Sequence, residues 1–351
     1  SVQALQGEIS RAIAHGIKAR FTSGQEARLR AARPVDPALY EMFLKGSFHC
    51  GQPGGQEKGI EILEATVARD PTFAPAYAEL GTCYHYDAFF YERIPAREAY
   101  GRAKAAALEA LKLDPEMGAA HAVLAQTLLH HDWDFDEAER GFRRALQLSP
   151  GSAEIHHWYA HHLLAMGRAE ESVAATRRAF ELNPLNAGLA ACIGWHCFFA
   201  RQYDEAIVNA RKALELSPRA YMGHYYLAWA LEKKGDFPGG VAAMKQAIAL
   251  NRRPAGLASL ARLHARAGQQ AEADRTLAEL EAMSRARHVP AYDMAVGYAG
   301  VGRFDRAFEW LERAYEERSA MIVHVNWDPR FEELRTDPRF LTLVRRIGLP
   351  T

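Results

Sequence analysis

Residues 121–150 read HAVLAQTLLHHDWDFDEAERGFRRALQLSP and contain two helical patterns in succession. Its first half repeats apolar or small residues three and four positions apart, and its second half does the same after a short polar break. The second pattern ends at Pro150, which cannot donate the next backbone hydrogen bond of a helix. The stretch therefore predicts two helices joined by a short turn.

The same unit recurs along the chain, because Pro150, Pro184 and Pro218 follow one another at intervals of 34 residues. A period of 34 residues, with small residues where two helices cross, is typical of the tetratricopeptide repeat. About eight such units fit between residues 40 and 319. The predicted fold class is all-α: a right-handed superhelical α-solenoid of about eight helix-turn-helix units with N- and C-terminal capping helices.

Residues near the two ends depart from the period and divide the chain into three parts. Residues 1–39 are predicted to form an N-terminal capping segment with an amphipathic helix, residues 40–320 the repeat array, and residues 321–351 the C-terminal capping helices. The sequence Asp-Pro-Arg-Phe occurs at 328–331 and at 337–340, and each copy is suited to begin a helix. Glycines at 167, 235 and 302 are expected to end first helices in the left-handed conformation.

Composition narrows the function classes. The 43 basic and 43 acidic residues cancel, which gives no reason to expect generic binding to nucleic acid or to an anionic membrane. No run of about 20 apolar residues is present. The four cysteines form no CxxC pair and are expected to be small buried hydrophobes in a reducing compartment. With no export signal at the N-terminus, the expected location is cytoplasmic, or periplasmic if a membrane span precedes this sequence in a longer protein.

Several segments resemble one bacterial family. These are Leu5–Ala14, residues 32–46 (ARPVDPALYEMFLKG), residues 132–146 (DWDFDEAERGFRRAL) and the closing Asp-Pro-Arg-Phe. They are similar to the C-terminal tetratricopeptide region of multidomain signalling proteins, where it follows a TolB-like segment and a winged-helix regulator, nucleotide cyclase or Ser/Thr kinase. The resemblance covers nearly the whole chain. It implies a sensory or scaffolding region without catalytic residues.

Repeat register predicts a binding groove. In stacked helix pairs, the residues that follow the Trp and Gly positions of the repeat pattern in each first helix line the concave surface. The middle of that surface is aromatic, as binding hot spots are. The predicted groove residues are His157, His161, Trp195, Phe198, Tyr225, Trp229, Arg262 and Tyr292. The alternative is that these side chains are buried between repeats or covered by a terminal segment.

The second unit carries about ten extra residues, in an aromatic insertion at 85–95. Insertions in repeat arrays lie on one face and often serve binding. Phe89, Phe90 and Tyr91 are therefore predicted to form an insertion surface, with the alternative that they cover a neighbouring helix.

Histidines at 157 and 161 lie one helical turn apart, near enough to share a metal ion. No third ligand is evident from the sequence, HExxH is absent, and His156 is expected to be a core histidine. We therefore predict no metal and no cofactor. Neither a phosphate-binding loop nor a GxSxG nucleophile elbow occurs.

The sequence thus predicts a non-catalytic scaffold that binds a peptide or protein segment through its concave face. A second hypothesis is a small-molecule-sensing regulatory domain that controls an N-terminal effector. A remote third is a metal-dependent hydrolase that uses the His156–His162 cluster. The identity of the partner and the oligomeric state stay open.

Overall fold

The computed structural model describes residues 36–351, except residues 53, 92 and 93 and the side chains of Phe90 and Tyr91. The amphipathic helix predicted around Leu5–Ile17 lies outside the described residues. So do the predicted surface roles of Phe90 and Tyr91. Within the described part, the chain contains seventeen α-helices and no β-strand.

Sixteen of these helices form eight antiparallel pairs, as the period predicts. Their bounds are α1 Pro37–Cys50 and α2 Gln56–Arg69, α3 Ala74–Tyr86 and α4 Ala96–Leu113, α5 Gly118–Thr127 and α6 Phe135–Leu148, α7 Ala153–Ala165 and α8 Ala169–Leu182, α9 Ala187–Phe199 and α10 Tyr203–Leu216, α11 Tyr221–Lys233 and α12 Phe237–Leu250, α13 Pro254–Arg266 and α14 Gln270–Ala286, α15 Ala291–Gly300 and α16 Phe304–Glu317. The predicted all-α solenoid is confirmed.

Local signals in the sequence set the helix ends. Ser149, Asn183 and Ser217, each followed by proline, leave helical geometry and end their helices. Gly167 and Gly235 have φ angles of 75° and 82°, the left-handed conformation that glycine adopts without steric cost. Both features agree with the sequence-based prediction.

The first helix of each pair is buried on more than one face. In α9 every residue from Leu189 to Phe199 is buried, whereas the paired outer helix α10 buries a stripe of small residues and exposes Val208. A helix that is apolar all round must be covered on all sides. The outer helices cover one side of α9, and a C-terminal segment covers the other.

This C-terminal segment comprises residues 319–335. It leaves α16, crosses the concave face in two short 3₁₀ helices, Ala320–His324 and Pro329–Leu334, and leads into α17 (Pro338–Ile347). Asp328 and Asp337 accept hydrogen bonds from the backbone N–H groups of Arg330 and Arg339, so both Asp-Pro-Arg-Phe copies begin a helical segment as predicted. The first copy, however, lies on the concave face, beside α11 and α15.

The prediction that all four cysteines are unpaired is wrong for Cys50 and Cys83, which form a disulfide. Their Cα atoms are 5.4 Å apart, and their separation of 33 residues is close to one repeat. Residues one period apart lie side by side on adjacent first helices, here α1 and α3. Cys192 and Cys197 are free and buried, as expected.

No helix in the described ranges combines the length and the apolar character that crossing a membrane requires.

Candidate functional site: the concave face and its central cavity

The predicted groove residues lie next to one another on the concave face. The rings of Tyr225 and Trp229, one turn apart on α11, are 5.0 Å apart between centroids, and Phe198 of α9 lies 5.3 Å from Trp229. Further toward the N-terminus, His161 of α7 lies 4.9 Å from Trp195 of α9. The repeat register therefore places these side chains in one continuous row.

The C-terminal segment covers much of this row, and none of the eight predicted groove residues exceeds 9% exposure. His324 packs its ring 5.4 Å from that of Trp195, and the guanidinium of Arg330 lies 4.0 Å above the indole of Trp229. Tyr292 donates a hydrogen bond of 2.7 Å to Asp328. The sequence left open whether these aromatic residues are exposed in a groove, buried between repeats or covered by a terminal segment. At Trp195, Trp229 and Tyr292 the structure shows a terminal segment in contact with them.

Side chains of the array bind the main chain of this segment. The Lys233 ammonium donates to the carbonyl oxygen of Pro329 at 2.8 Å, and the Arg262 guanidinium donates to that of Arg330 at 2.8 Å. His130 lies 3.0 Å from the carbonyl oxygen of Ala320. The concave face thus holds a peptide segment of its own chain through backbone carbonyl groups.

Buried charged side chains also stabilise the contact between the array and the C-terminal segment. Arg262 also forms an ion pair of 2.7 Å with Glu232, and both side chains are almost fully buried. Burial raises the pKa of the Asp328 carboxyl, but the adjacent Arg330 guanidinium outweighs that effect and the net pKa lies below its ordinary value. Asp328 is therefore ionised, paired with Arg330 and bonded to Tyr292.

The aromatic insertion points inward at Phe89. This side chain is 9% exposed and packs against His130 and His161, with ring centroids 5.1 and 5.2 Å away. Residues Asp87–Tyr91 form one π-helical turn that continues α3. Extra residues in a helix are accommodated as such a turn. Phe89 consequently covers neighbouring helices and is not exposed.

One part of the concave face remains open. A cavity of about 640 Å³ lies where α7, α9 and α11 begin, and its walls include Ser152, Glu154, Asn186, Tyr221 and Met222. His157 lines this cavity, which we call the mouth.

A smaller chamber of about 80 Å³ shares Cys192, Tyr221 and Met222 with the mouth. Four predicted groove residues line the chamber, namely His161, Trp195, Tyr225 and Trp229. Phe198, Arg262 and Tyr292 line neither cavity.

Burial raises the pKa of one carboxyl group at each cavity. Burial raises the pKa of Glu154 at the mouth to about 7, although a hydrogen bond from Tyr86 opposes the rise. Burial likewise raises the pKa of Asp293 in the chamber to about 6, against the attraction of Arg253 and Arg330. Near neutral pH the cavities are therefore lined by aromatic rings and by carboxyl groups that titrate close to that pH.

The structure adds a third histidine to the pair at 157 and 161. One ring nitrogen each of His157, His161 and His196 lies within 4.8 Å of the others. This third candidate is not evident from the local sequence, because His196 comes from the next first helix, α9. It follows His161 by 35 residues, close to one period, and that spacing was the available signal. The prediction that His156 is a core histidine is wrong. Its side chain is half-buried at the surface, beside the carbonyl oxygen of Pro150.

Comparison with known proteins supports the repeat assignment. Two family models of the tetratricopeptide repeat match the chain, one at residues 133–191 and the other at residues 96–153 and 193–255. A curated relative, protein O-mannosyl-transferase Tmtc1 of Drosophila melanogaster, is 42% identical over 64 residues. That match covers 18% of this chain and 8% of the relative, so it spans about two repeats and little of the transferase.

Several solved structures are similar to the chain at low sequence identity, and the match to yeast Tom70 supports the helical repeat fold. Yeast Tom70 has a TM-score of 0.51 and 16% identity, over 91% of this chain and 69% of Tom70. PilF of Pseudomonas aeruginosa has a TM-score of 0.47 and 20% identity, over 62% of this chain and 93% of PilF. YrrB, a repeat protein with an unusual peptide-binding site, has a TM-score of 0.37 and 16% identity, over 54% of this chain and 92% of YrrB. The family models thus show tetratricopeptide repeats within residues 96–255, and the helix pairs of the described residues extend the same all-α solenoid architecture on both sides of that range.

Proposed function

We propose that this chain is a non-catalytic scaffold that binds a peptide or protein segment on its concave face, in the mouth between the starts of α7, α9 and α11. The observation that carries the proposal is that the concave face already holds one peptide segment, residues 319–335, through backbone carbonyl groups. Such contacts do not depend on the side chains of the bound segment, so polar side chains of the mouth can hold the main chain of a foreign segment in a similar way.

The chemistry of the mouth suits an extended segment. Side chains of Ser152, Asn186 and Glu154 offer hydrogen bonds, while Tyr221 and Met222 offer apolar contact. A few polar groups around aromatic walls give a binding site both orientation and affinity. Because the contacts are mainly apolar and hydrogen-bonded, binding should depend little on salt.

A selected peptide tests this proposal. We expect peptides of about 12 residues, selected from a displayed library against the wild-type protein, to bind at least about tenfold more weakly to Ala153→Trp, a difference of ~1.4 kcal/mol. The indole would fill the mouth, which Ala153 lines. Val208→Trp places the same side chain on the exposed face of α10 and serves as the control. Equal affinity of both variants, with unchanged helical circular dichroism, would refute the mouth as the site.

A small-molecule sensor is the second candidate, and the size of the mouth favours it. At about 640 Å³ it lies within the range of roughly 300–1,000 Å³ that small-molecule pockets occupy. This candidate predicts that a metabolite, and no peptide, raises the unfolding temperature of the wild type. Ala153→Trp should abolish that rise.

The cellular context extends the proposal beyond this chain. We infer from the resemblance described above that the array is the sensory or interaction region of a bacterial signalling protein with an N-terminal effector. For the compartment, the Cys50–Cys83 disulfide favours the periplasmic alternative over the cytoplasm, where thiols are kept reduced.

A further inference from the structure

Six buried histidines meet at the centre of the molecule. They come from four first helices or their extensions and from the C-terminal segment, and each is at most 9% exposed: His85, His130, His157, His161, His196 and His324. A buried ring nitrogen without a hydrogen-bond partner is costly. In the described part of the chain, Nδ1 of His161 and Nε2 of His196 have no such partner. The cluster therefore has more polar atoms than the protein itself satisfies.

Three of these histidines are arranged as metal ligands. The Nε2 atoms of His157 and His161 are 3.2 Å apart, and a nitrogen of His196 lies within 4.8 Å of both. Two nitrogens bound to one tetrahedral ion at about 2.0 Å are separated by roughly 3.3 Å. The spacing of the first pair thus already matches shared coordination.

Ser172 fixes the tautomer of His196. Its hydroxyl donates to the carbonyl oxygen of Ala160 at 2.8 Å, so its oxygen accepts the Nδ1–H of His196 at 2.5 Å. The lone pair of His196 is then on Nε2, the atom that lacks a protein partner. A hydrogen bond of this kind to the other ring nitrogen is the usual outer support of a metal-bound histidine.

Burial also keeps the three rings in the form that binds metal. It lowers the pKa of His157 to about 4 and the pKa values of His161 and His196 well below their ordinary value. At neutral pH the imidazoles are uncharged, and uncharged imidazole is the ligand form.

We propose that His157, His161 and His196 form a binding site for a divalent transition-metal ion of the Zn²⁺ class. Three neutral nitrogen donors suit Zn²⁺, Co²⁺, Ni²⁺ or Cu²⁺, whereas Mg²⁺ and Ca²⁺ prefer oxygen ligands. Three protein ligands leave a fourth position for water or a bound ligand. His157 lines the mouth, which gives the ion a route of entry. The proposal does not depend on peptide binding.

Cobalt absorption tests the site directly. The protein, prepared without a histidine tag and stripped with a chelator, should bind one equivalent of Co²⁺ with visible ligand-field bands. One equivalent of Zn²⁺ should then remove those bands, and Zn²⁺ should raise the unfolding temperature by several degrees. Spectra without saturation at one equivalent, or no bands at all, would overturn the proposal.

Variants separate the three ligands from the other histidines. His196→Gln should weaken Co²⁺ binding by more than about 100-fold, and Ser172→Ala by about 10-fold through loss of the tautomer control. The control variants are His156→Gln at the surface and His85→Gln within the buried cluster, and both should bind as the wild type does. Helical circular dichroism in chelator confirms folding of each variant. If His196→Gln does not fold, Ser172→Ala decides, since an unchanged affinity there contradicts the ligand assignment.

Discussion

Arg262 and Glu232 form an ion pair that is almost entirely removed from solvent, with N–O contact at 2.7 Å. Arg262 also donates to the carbonyl oxygen of Arg330, so a single side chain links α11, α13 and the C-terminal segment. A buried charge that loses its partner is strongly destabilising, because the remaining ion stays desolvated. At the residue scale, the stability of the concave face therefore rests on a few buried polar contacts.

Arg262→Ala should lower the free energy of unfolding by about 3–5 kcal/mol, since the Glu232 carboxylate would stay buried without compensation. Arg266→Ala is the matched control. It lies one turn further along α13, pairs with Glu333 and is half exposed, so its loss should cost less than about 1 kcal/mol. Urea denaturation followed by circular dichroism measures both values. Similar costs for the two variants would contradict the role assigned to the buried pair.

Asp293 makes the stability of the protein depend on pH. Burial raises the pKa of its folded form to about 6, above its ordinary value of 3.8, so the folded state binds a proton that the unfolded state releases. Stability is therefore lost as the pH rises through this window, by ~2 kcal/mol between pH 4 and 6.

Asp293→Asn should remove that loss. Relative to the wild type, the variant should gain stability from pH 4 to pH 6 and run parallel to it above pH 7. Asp305→Asn, at an exposed position on α16, is the control and should follow the wild-type curve throughout. Thermal unfolding at a series of pH values measures the difference. Curves for Asp293→Asn and the wild type that run parallel between pH 4 and pH 6 would refute the raised pKa of Asp293.

At the scale of elements, repeat register decides which residues meet. Cys50 and Cys83 lie about one period apart and therefore face each other from α1 and α3, although neither belongs to a CxxC motif. His196 joins His157 and His161 for the same reason. Both contacts follow from the period together with the side chain's direction on its helix. The period alone, read as a sequence pattern, does not show that direction, so it does not predict either the disulfide or the third histidine.

The disulfide should stabilise the N-terminal units. For a loop of 33 residues the chain-entropy model gives about 3–4 kcal/mol. The double variant Cys50→Ser, Cys83→Ser should lose that amount under oxidising conditions, and wild-type protein in reductant should match it. Mass spectrometry of unreduced peptides checks the pairing. A free thiol at Cys50 in oxidised, folded protein would contradict it.

The stability of the C-terminal segment on the concave face should depend on Trp327. Its indole donates a hydrogen bond of 3.0 Å to the carbonyl oxygen of Ala165 and packs on Gly167, where a Cβ would clash with the ring. Trp327→Ala should destabilise the segment by about 2–3 kcal/mol and speed amide exchange across residues 319–335. Leu341→Ala, at an exposed position on α17, should leave exchange unchanged. Equal exchange in both variants would show that Trp327 does not anchor the segment.

At the scale of the whole molecule, the fold was predictable and the state of its concave face was not. Proline spacing and helical periodicity fixed the eight helix pairs, because each repeat carries its own signal. The register also placed Phe198, Tyr225 and Trp229 in one row. Coverage by residues 319–335 depends on contacts such as His324 with Trp195, far apart in the chain. No local pattern encodes such contacts, so the sequence left exposure and coverage as alternatives.

The proposed function requires that a partner segment binds in the mouth, the part of the concave face that residues 319–335 leave open. Hydrogen exchange of the wild type, with and without a library-selected peptide, measures where such a segment lies. Bound peptide should slow amide exchange at the starts of α7, α9 and α11, around residues 152–157, 186–192 and 221–225. Protection confined to the outer helices α8, α10 and α12, or a peptide that binds without any protection at the mouth, would contradict it.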